Sequence, residues 1–402
     1  MIKWPFQALL MILAAGPAVA TEPALKVERV VMLMRHGIRP PTKLQPIPPK
    51  YSATPWPRWS TGPGLLTPHG AKGVAILAEA DRASFAGHGL LPASGCPAPG
   101  QVTIAASKVP RAIETAKAWA AAFAPGCGIA VAHPAGGAPD SLFHPLEGGP
   151  AWFDGHRAWE GAIAAAPTGG LRRQARELSP LLRELETVLG CAAPACDLEE
   201  PESTLVEQPH DRPKLHGPLG IASTASETLL LEYLENKPLS EVGWGRVDRA
   251  AIERLLTFNA VEFQYVDRPR AIAQGAAGPL ARAILGALEA DDGPRVTLLA
   301  GHDTNIADLG GLLGIHWRTA SYPADTVPPG GALVFELLSD NTGMRFVRAL
   351  FRAQTMDQLR NLDPIGADGA PRAFVTIPGC GNDAEGGCEL ARFGELVRAS
   401  LN

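Results

Sequence analysis

Two apolar segments of the sequence each end in a cluster of charged and imidazole side chains. Residues 30–43 read VVMLMRHGIRPPTK, so Arg35, His36 and Arg39 directly follow a run of five apolar residues. Late in the chain, the apolar segment TLLAG is followed at once by His302 and Asp303. Polar residues beyond the carboxyl ends of neighbouring parallel strands share one crevice, so we expect the two clusters to meet if their strands are neighbours.

The arginines in this set favour a ligand with two negative charges. A third arginine, Arg111, lies in the first turn of a predicted helix, where unpaired backbone N–H groups and the helix dipole also attract anions. Each guanidinium presents two parallel N–H donors, a geometry that matches two oxygens of a phosphoryl group. Three guanidinium groups, two imidazoles and one carboxyl therefore predict a site for a phosphate ester.

The same residues also supply the groups that phosphoryl transfer needs. We expect His36 to be the nucleophile, because nearby arginines lower the pKa of its imidazole and keep one ring nitrogen unprotonated even in acid. Asp303 is expected to donate a proton to the departing oxygen, since a carboxyl beside an anion holds its proton more readily. His302 and the arginines would stabilise the charge on the equatorial oxygens, and this scheme needs no metal or other cofactor.

Two other functions use parts of the same residue set. An exported protein that only binds phosphorylated ligands would need the arginines but not Asp303, so the intact HDTN at 302–305 argues against it. A metal-dependent phosphatase would need clustered carboxylates and histidines, which are too few here for a two-metal site.

The elements that must position these residues follow an α/β pattern. Strands are predicted at 27–34, 102–107 and 295–301, and a helix is predicted after Leu66 with Thr67 as its cap and Pro68 at its first position. A second helix is predicted to open at Pro110. GGALVFELL and MRFVRALF predict an antiparallel hairpin at a sheet edge. From about 151 to 275 the spacing of apolar residues is helical, which indicates an insertion.

The first twenty residues predict export. They contain Lys3, a short apolar run and the ending AVA, which are typical of a signal peptide that is cleaved after Ala20. A membrane anchor is the alternative, but the run from Phe6 to Ala15 is too short to span a bilayer. The formal net charge of -5 and the lack of a basic tract exclude a nucleic-acid-binding class. We expect a periplasmic or secreted protein, free of membrane after cleavage, and a monomer.

Six cysteines fit an oxidising compartment. An even number in an exported chain favours disulfides over thiols, and no zinc-site spacing of Cys and His is present around Cys191 and Cys196. Six cysteines permit fifteen connectivities. Of these we expect the pairing of neighbours in the sequence, namely Cys96 with Cys127, Cys191 with Cys196, and Cys380 with Cys388.

The chain resembles the histidine acid phosphatases, which are branch 2 of the histidine phosphatase superfamily. The resemblance rests on RHGIRPP at 35–41 and HDTN at 302–305, and it extends to the bacterial periplasmic phytases and glucose-1-phosphatases through RPPTK, GLLTPHG, GWGR and PPGGALVFE. It implies a phosphorylated His36 and the proton donor Asp303. It also implies a phosphate-binding set and a substrate-binding set: Arg35, Arg39, Arg111 and His302, and Thr42, Lys43 and Glu227. For Glu227 the alternative is an exposed helix carboxylate.

The resemblance also implies a fold. It predicts a three-layer α/β/α core of the phosphoglycerate mutase-like type, formed by residues 21–150 and 276–402, with an α-helical insertion domain at 151–275. The implied function is hydrolysis of phosphomonoesters in acid through a phosphohistidine. Lys43 could meet a second phosphoryl group, which favours phytate as the substrate; glucose-1-phosphate or a broad range of sugar phosphates is the alternative.

Overall fold

The structure of the protein, a computed structural model, describes Met1 and residues 25–191, 197–199, 201–366, 369–380 and 387–402. The predicted signal peptide at 1–20 therefore lies outside the described residues, apart from Met1.

A mixed β-sheet forms the centre of the molecule. Among the described residues, eight strands build it and two more form a separate hairpin. The sheet strands are β1 (Lys26–Arg35), β2 (Val102–Ala106), β3 (Val131–Ala132), β6 (Val296–Gly301), β7 (Ala332–Ser339), β8 (Arg345–Arg352), β9 (Arg372–Val375) and β10 (Cys388–Glu389), and the hairpin strands are β4 (Thr204–Val206) and β5 (Lys214–His216). The strand order β10-β8-β7-β1-β6-β2-β3 places β1 in the interior of the sheet, and β9 also pairs with β8.

The direction of each pairing explains where the two polar clusters go. β1 pairs with β6 in parallel, and Arg35 lies opposite Gly301 at the end of the register. β2 and β3 continue this parallel half, whereas β7 and β8 are antiparallel. The predicted hairpin is thus confirmed, but its predicted place at a sheet edge is wrong, because β9 and β10 both pair with β8 and cover its outer side.

Helices cover both faces of the sheet. They are α1 (Pro68–Gly87), α2 (Pro110–Phe123), α3 (Gly155–Ala164), α4 (Gly170–Glu177), α5 (Ser179–Leu189), α6 (Pro218–Leu234), α7 (Arg249–Leu255), α8 (Thr257–Val266), α9 (Arg270–Glu289), α10 (Asp303–Leu313), α11 (Met356–Asn361) and α12 (Leu390–Ser400). The predicted cap of α1 is confirmed: the Thr67 hydroxyl accepts a hydrogen bond from the Gly70 N–H at 2.9 Å.

Alternation along β1 separates two hydrophobic cores. Met32 and Met34 point to the face covered by α1 and α2, while Val31 and Leu33 point to the face covered by α9, α10 and α12. All four side chains are at most 1% exposed, as expected for a strand with helices on both sides. The expected three-layer α/β/α core is confirmed.

The chain between β3 and β6 supplies most of the remaining helices together with the β4–β5 hairpin. The predicted boundary at 275/276 falls inside α9, which packs on β1, α10 and α12. The division of the chain into 21–150, 151–275 and 276–402 thus stays a prediction. Within the described residues, α9 is the one helix long and apolar enough to cross a membrane, and 56% of its most apolar stretch is buried inside the protein.

Two of the three expected disulfides are present. Cys96 is bonded to Cys127, which ties the segment after α1 to the segment after α2. Cys380 is bonded to Cys388 at the start of β10. The third expected bond joins Cys191 to Cys196, and Cys196 lies outside the described residues.

A buried ion pair connects the α1 and α2 layer to the turn beside His36. The Asp81 carboxylate accepts hydrogen bonds from Trp119 Nε1 at 3.0 Å and from Arg352 Nη2 at 2.7 Å. Arg352 Nη1 donates to the Gly330 carbonyl at 2.8 Å, and the Gly330 N–H donates to the His36 carbonyl at 3.2 Å. Burial raises the pKa of Asp81 above its ordinary value in spite of the adjacent guanidinium.

We predict that Asp81→Asn lowers the free energy of unfolding by about 3 kcal/mol, because it leaves the buried Arg352 charge without a counterion. Urea titration with the disulfides intact measures this loss. The matched control is Glu114→Gln, which breaks the exposed ion pair with Lys117 and should cost under about 1 kcal/mol. Equal losses for the two variants would contradict the prediction.

Candidate active site

The two polar clusters meet at the carboxyl edge of β1 and β6. Immediately beyond the register partners Arg35 and Gly301, the His36 N–H donates to the Gly301 carbonyl at 3.0 Å. His302 is the cap residue of α10, and Asp303 is the first residue of that helix. The expected juxtaposition therefore follows from parallel pairing of the two strands.

The imidazole of His36 is buried and held in one tautomer. Its Nδ1 lies 2.8 Å from the Gly37 carbonyl oxygen, and because a carbonyl can only accept, Nδ1 must carry the proton. In the neutral ring the lone pair then resides on Nε2. The pKa of His36 lies well below its ordinary value, chiefly because the ring is buried and further because Arg111 and Arg35 are close. The direction of the expected shift is confirmed, but its largest single cause is burial, which the sequence-based expectation did not include.

Arg35 is fully buried and its charge is paired. Nη1 donates to the Val327 carbonyl at 2.5 Å. Nη2 forms ion pairs with Asp303 Oδ2 at 2.9 Å and with Glu227 Oε1. The Glu227 side chain is only 14% exposed, so it is a partner within this site and not a free carboxylate on a helix surface.

Arg39 and Arg111 add two further buried or half-buried cations. Arg111 Nη2 lies 3.4 Å from His302 Nδ1, and burial together with the neighbouring Arg39 lowers the Arg111 pKa to about 10. The Nε–H groups of Arg35, Arg39 and Arg111 are all buried and have no hydrogen-bond partner within the described residues. Buried donors without a partner are costly unless an anion accepts from them.

His302 belongs to a chain of hydrogen bonds that the sequence did not reveal. Its Nε2 lies 3.2 Å from the Ser107 hydroxyl, which in turn lies 3.1 Å from His144 Nε2. The His302 ring is 5.4 Å from that of His36, centroid to centroid. Burial and Arg111 hold the pKa of His302 well below its ordinary value. Ser107 could have been found, because it directly follows β2 at the same sheet edge; His144 lies in an irregular segment with no motif.

Asp303 is ionised in this arrangement. Its Oδ2 pairs with Arg35 and its Oδ1 accepts the Thr304 N–H at 2.9 Å. Burial acts to raise the pKa of Asp303, but Arg35, Arg39, His302 and the Thr304 N–H together outweigh it, and the net shift is downward. The expected proton donor therefore needs a bound anion, which would offset the guanidinium charge and return the pKa of the carboxyl upward.

A cleft of about 320 Å³ opens beside these residues. One side is formed by the segment after Arg39, including Thr42 and Lys43, the two residues for which the resemblance implies substrate binding. The other side comes from α6 and α8, with Glu227 and Glu262 among the lining residues. Glu262 was missed because α8 carries no motif. Burial, with Asp303 and Glu227 adding to it, raises the Glu262 pKa to about 6.

Comparison with known proteins agrees with this geometry. The model of the histidine phosphatase superfamily (branch 2) matches residues 26–152 and 266–352. Phytase AppA of Escherichia coli is 34% identical, over 98% of this chain and 96% of its own length. The glucose-1-phosphatase of Salmonella typhimurium is 27% identical, over 96% of this chain and 95% of its own.

Solved structures give the same result. The phytase of Citrobacter braakii has a TM-score of 0.87 and 31% identity, covering 93% of this chain and 98% of its own. The Hafnia alvei phytase in complex with myo-inositol hexakis sulphate has a TM-score of 0.86 and 30% identity, covering 94% of this chain and 98% of its own.

We predict that His36 stays a neutral, Nδ1-protonated imidazole at about pH 5, where an ordinary histidine is a cation. Nitrogen-15 NMR of histidine-labelled protein distinguishes the three protonation forms. His156 is the internal reference, because its hydrogen bond with Glu207 raises its pKa and keeps it an imidazolium. An imidazolium signal that is lost from the spectrum of His36→Ala would contradict the assignment.

Proposed function

We propose that this chain, which belongs to branch 2 of the histidine phosphatase superfamily and is a phosphomonoester hydrolase, cleaves phytate through a phosphohistidine at His36. The observation that carries the proposal is the unprotonated Nε2 of His36 near three arginines whose Nε–H groups are buried without partners, together with the carboxyl of Asp303.

In the first step the Nε2 lone pair attacks phosphorus. The bond between phosphorus and the ester oxygen breaks, and the departing oxygen takes the proton of Asp303. Arg39, Arg111 and His302 stabilise the equatorial oxygens of the transferred group, as does the free Nε–H of Arg35. Phosphate is thus both the substrate group and the anion that these buried donors need.

In the second step water hydrolyses the phosphohistidine. The Asp303 carboxylate accepts a proton from the attacking water, and the electron pair of the phosphorus–nitrogen bond returns to Nε2. Ser107 and His144 hold His302 in orientation throughout. Both steps need only this chain's own side chains and water.

Inositol hexakisphosphate is the substrate that we favour. Its support is the relation to phytases at 34% and 31% identity, together with Thr42 and Lys43 in the cleft, where Lys43 can meet a second phosphate. Glucose-1-phosphate is the second candidate, supported by a relative at 27% identity and by two carboxylates in the same cleft.

We also propose that the protein works in the periplasm or outside the cell. The two disulfides support this, since such bonds persist in oxidising compartments. The expected monomer stays a prediction.

We predict that the enzyme releases phosphate from phytate at about pH 4 to 5 with a higher kcat/KM than from glucose-1-phosphate. His36→Ala should lower turnover of both substrates by about three orders of magnitude, since the covalent step is lost. His133→Ala, an exposed histidine, is the matched control and should retain activity. A higher kcat/KM for glucose-1-phosphate would overturn the preferred substrate, and an active His36→Ala would overturn the mechanism.

We predict that Asp303→Asn slows alkyl phosphates by at least about tenfold more than 4-nitrophenyl phosphate. A nitrophenolate leaves without a proton, whereas an alkoxide needs one from the acid. Because the aryl ester tests every other part of the site, it serves as the internal control for substrate binding. Equal losses in kcat on the two classes would show that Asp303 is not the proton donor.

A further inference from the structure

We propose that Glu262 determines how the enzyme discriminates between substrates with one phosphate and substrates with several, because its ionised carboxylate repels additional phosphate groups in the cleft. This inference rests on the proposed function, since it assumes that the reacting phosphate is bound at His36.

The cleft has opposed charges on its two sides. Arg39 and Lys43 come from the segment after β1, whereas Glu227 and Glu262 come from α6 and α8. The Glu227 charge is compensated by its ion pair with Arg35. Within the described part of the chain, Glu262 has no ion pair and is held only by a hydrogen bond from Ser223. It is therefore the uncompensated negative charge that a polyanion meets.

The groups that face Glu262 set when it is charged. Asp303 at the start of α10 and Glu227 on α6 both disfavour its ionised form, while the Ser223 hydroxyl favours it. Asp267, which follows α8, also interacts with it, and Arg39 and Lys43 lie across the cleft. Burial, with Asp303 and Glu227 adding to it, raises the pKa of Glu262 to about 6 in spite of the Ser223 hydrogen bond.

The sign of the effect follows from that raised pKa. Below about pH 6 the carboxyl is neutral and can donate a hydrogen bond to a phosphate oxygen. Above that pH it is a carboxylate and opposes any phosphate beyond the one at His36. The enzyme should therefore prefer polyphosphorylated substrates below about pH 6 and lose part of that preference above it. A substrate with a single phosphate places that phosphate at the arginines, so its affinity depends less on the charge of Glu262 than the affinity of a polyphosphorylated substrate does.

The test uses myo-inositol hexakis sulphate as the probe, because its sulfate groups stay ionised across the range while phosphate itself titrates near pH 6. We measure its Kd by calorimetry at about pH 5 and about pH 7. Glu262→Gln should bind the probe about three- to tenfold more tightly than the unmodified enzyme at pH 7, and within about twofold of it at pH 5. The kcat/KM for phytate relative to 4-nitrophenyl phosphate should rise by a similar factor at pH 7.

Two further variants sharpen the result. Thr224→Glu places a carboxylate at an exposed position that lines the same cleft, and since an ordinary Glu has a pKa of about 4.3 it should weaken probe binding at both pH values. Glu79→Gln, exposed on α1, removes the same charge elsewhere and should leave Kd unchanged.

Equal binding by Glu262→Gln and the unmodified enzyme at pH 7, or an equal gain at both pH values, would overturn the proposal. The Kd measurement needs no turnover. Failure to cleave phytate would thus count against the proposed function, and failure of the pH-dependent gain in affinity would count against the role of Glu262.

Discussion

The buried charge of Arg35 is the constraint on which the site depends. A guanidinium cannot lose its proton in a protein, so a side chain only 1% exposed must find partners or destabilise the fold. Its partners come from three distant parts of the chain: the Val327 carbonyl, Glu227 on α6 and Asp303 on α10. The ion pairs therefore fix α6, which forms the far wall of the cleft, against the sheet that carries His36. One interaction sets both the catalytic geometry and the position of the substrate cleft.

The residue types of this site could be predicted from the sequence because strand pairing decides where they go. His36 and His302 each follow an apolar strand, and parallel pairing of β1 with β6 leaves no other place for them than one edge. Arg111 was predictable from its position in the first turn of a helix that opens with Pro110. The three-layer fold follows from the same strand and helix pattern.

The features that could not be predicted depend on burial and on contacts between residues that are distant in the sequence and belong to no motif. His144 and Glu262 enter the site from an irregular segment and from an ordinary helix, so no motif identifies them. The largest single cause of the lowered His36 pKa is burial, which a list of neighbouring charges does not contain. The outer strands β9 and β10 are short, and they follow β8 only after intervening segments. Neither was predicted as a strand, so the hairpin was wrongly placed at an edge.

The nucleophile and the phosphate-binding site depend on the same arginine side chains. Arg111 and Arg35 lower the pKa of His36, and the same two side chains present buried N–H donors to an anion. Arg35 also pairs with Asp303, and together with Arg39 it favours the ionised carboxyl until an anion offsets the positive charge. Binding of a phosphate dianion would then act on all three groups at once: it satisfies the orphaned donors, raises the pKa of the acid and places phosphorus before Nε2. Loss of any one of these arginines should therefore impair binding, nucleophile and acid together, and its effects will not add to those of the other residues.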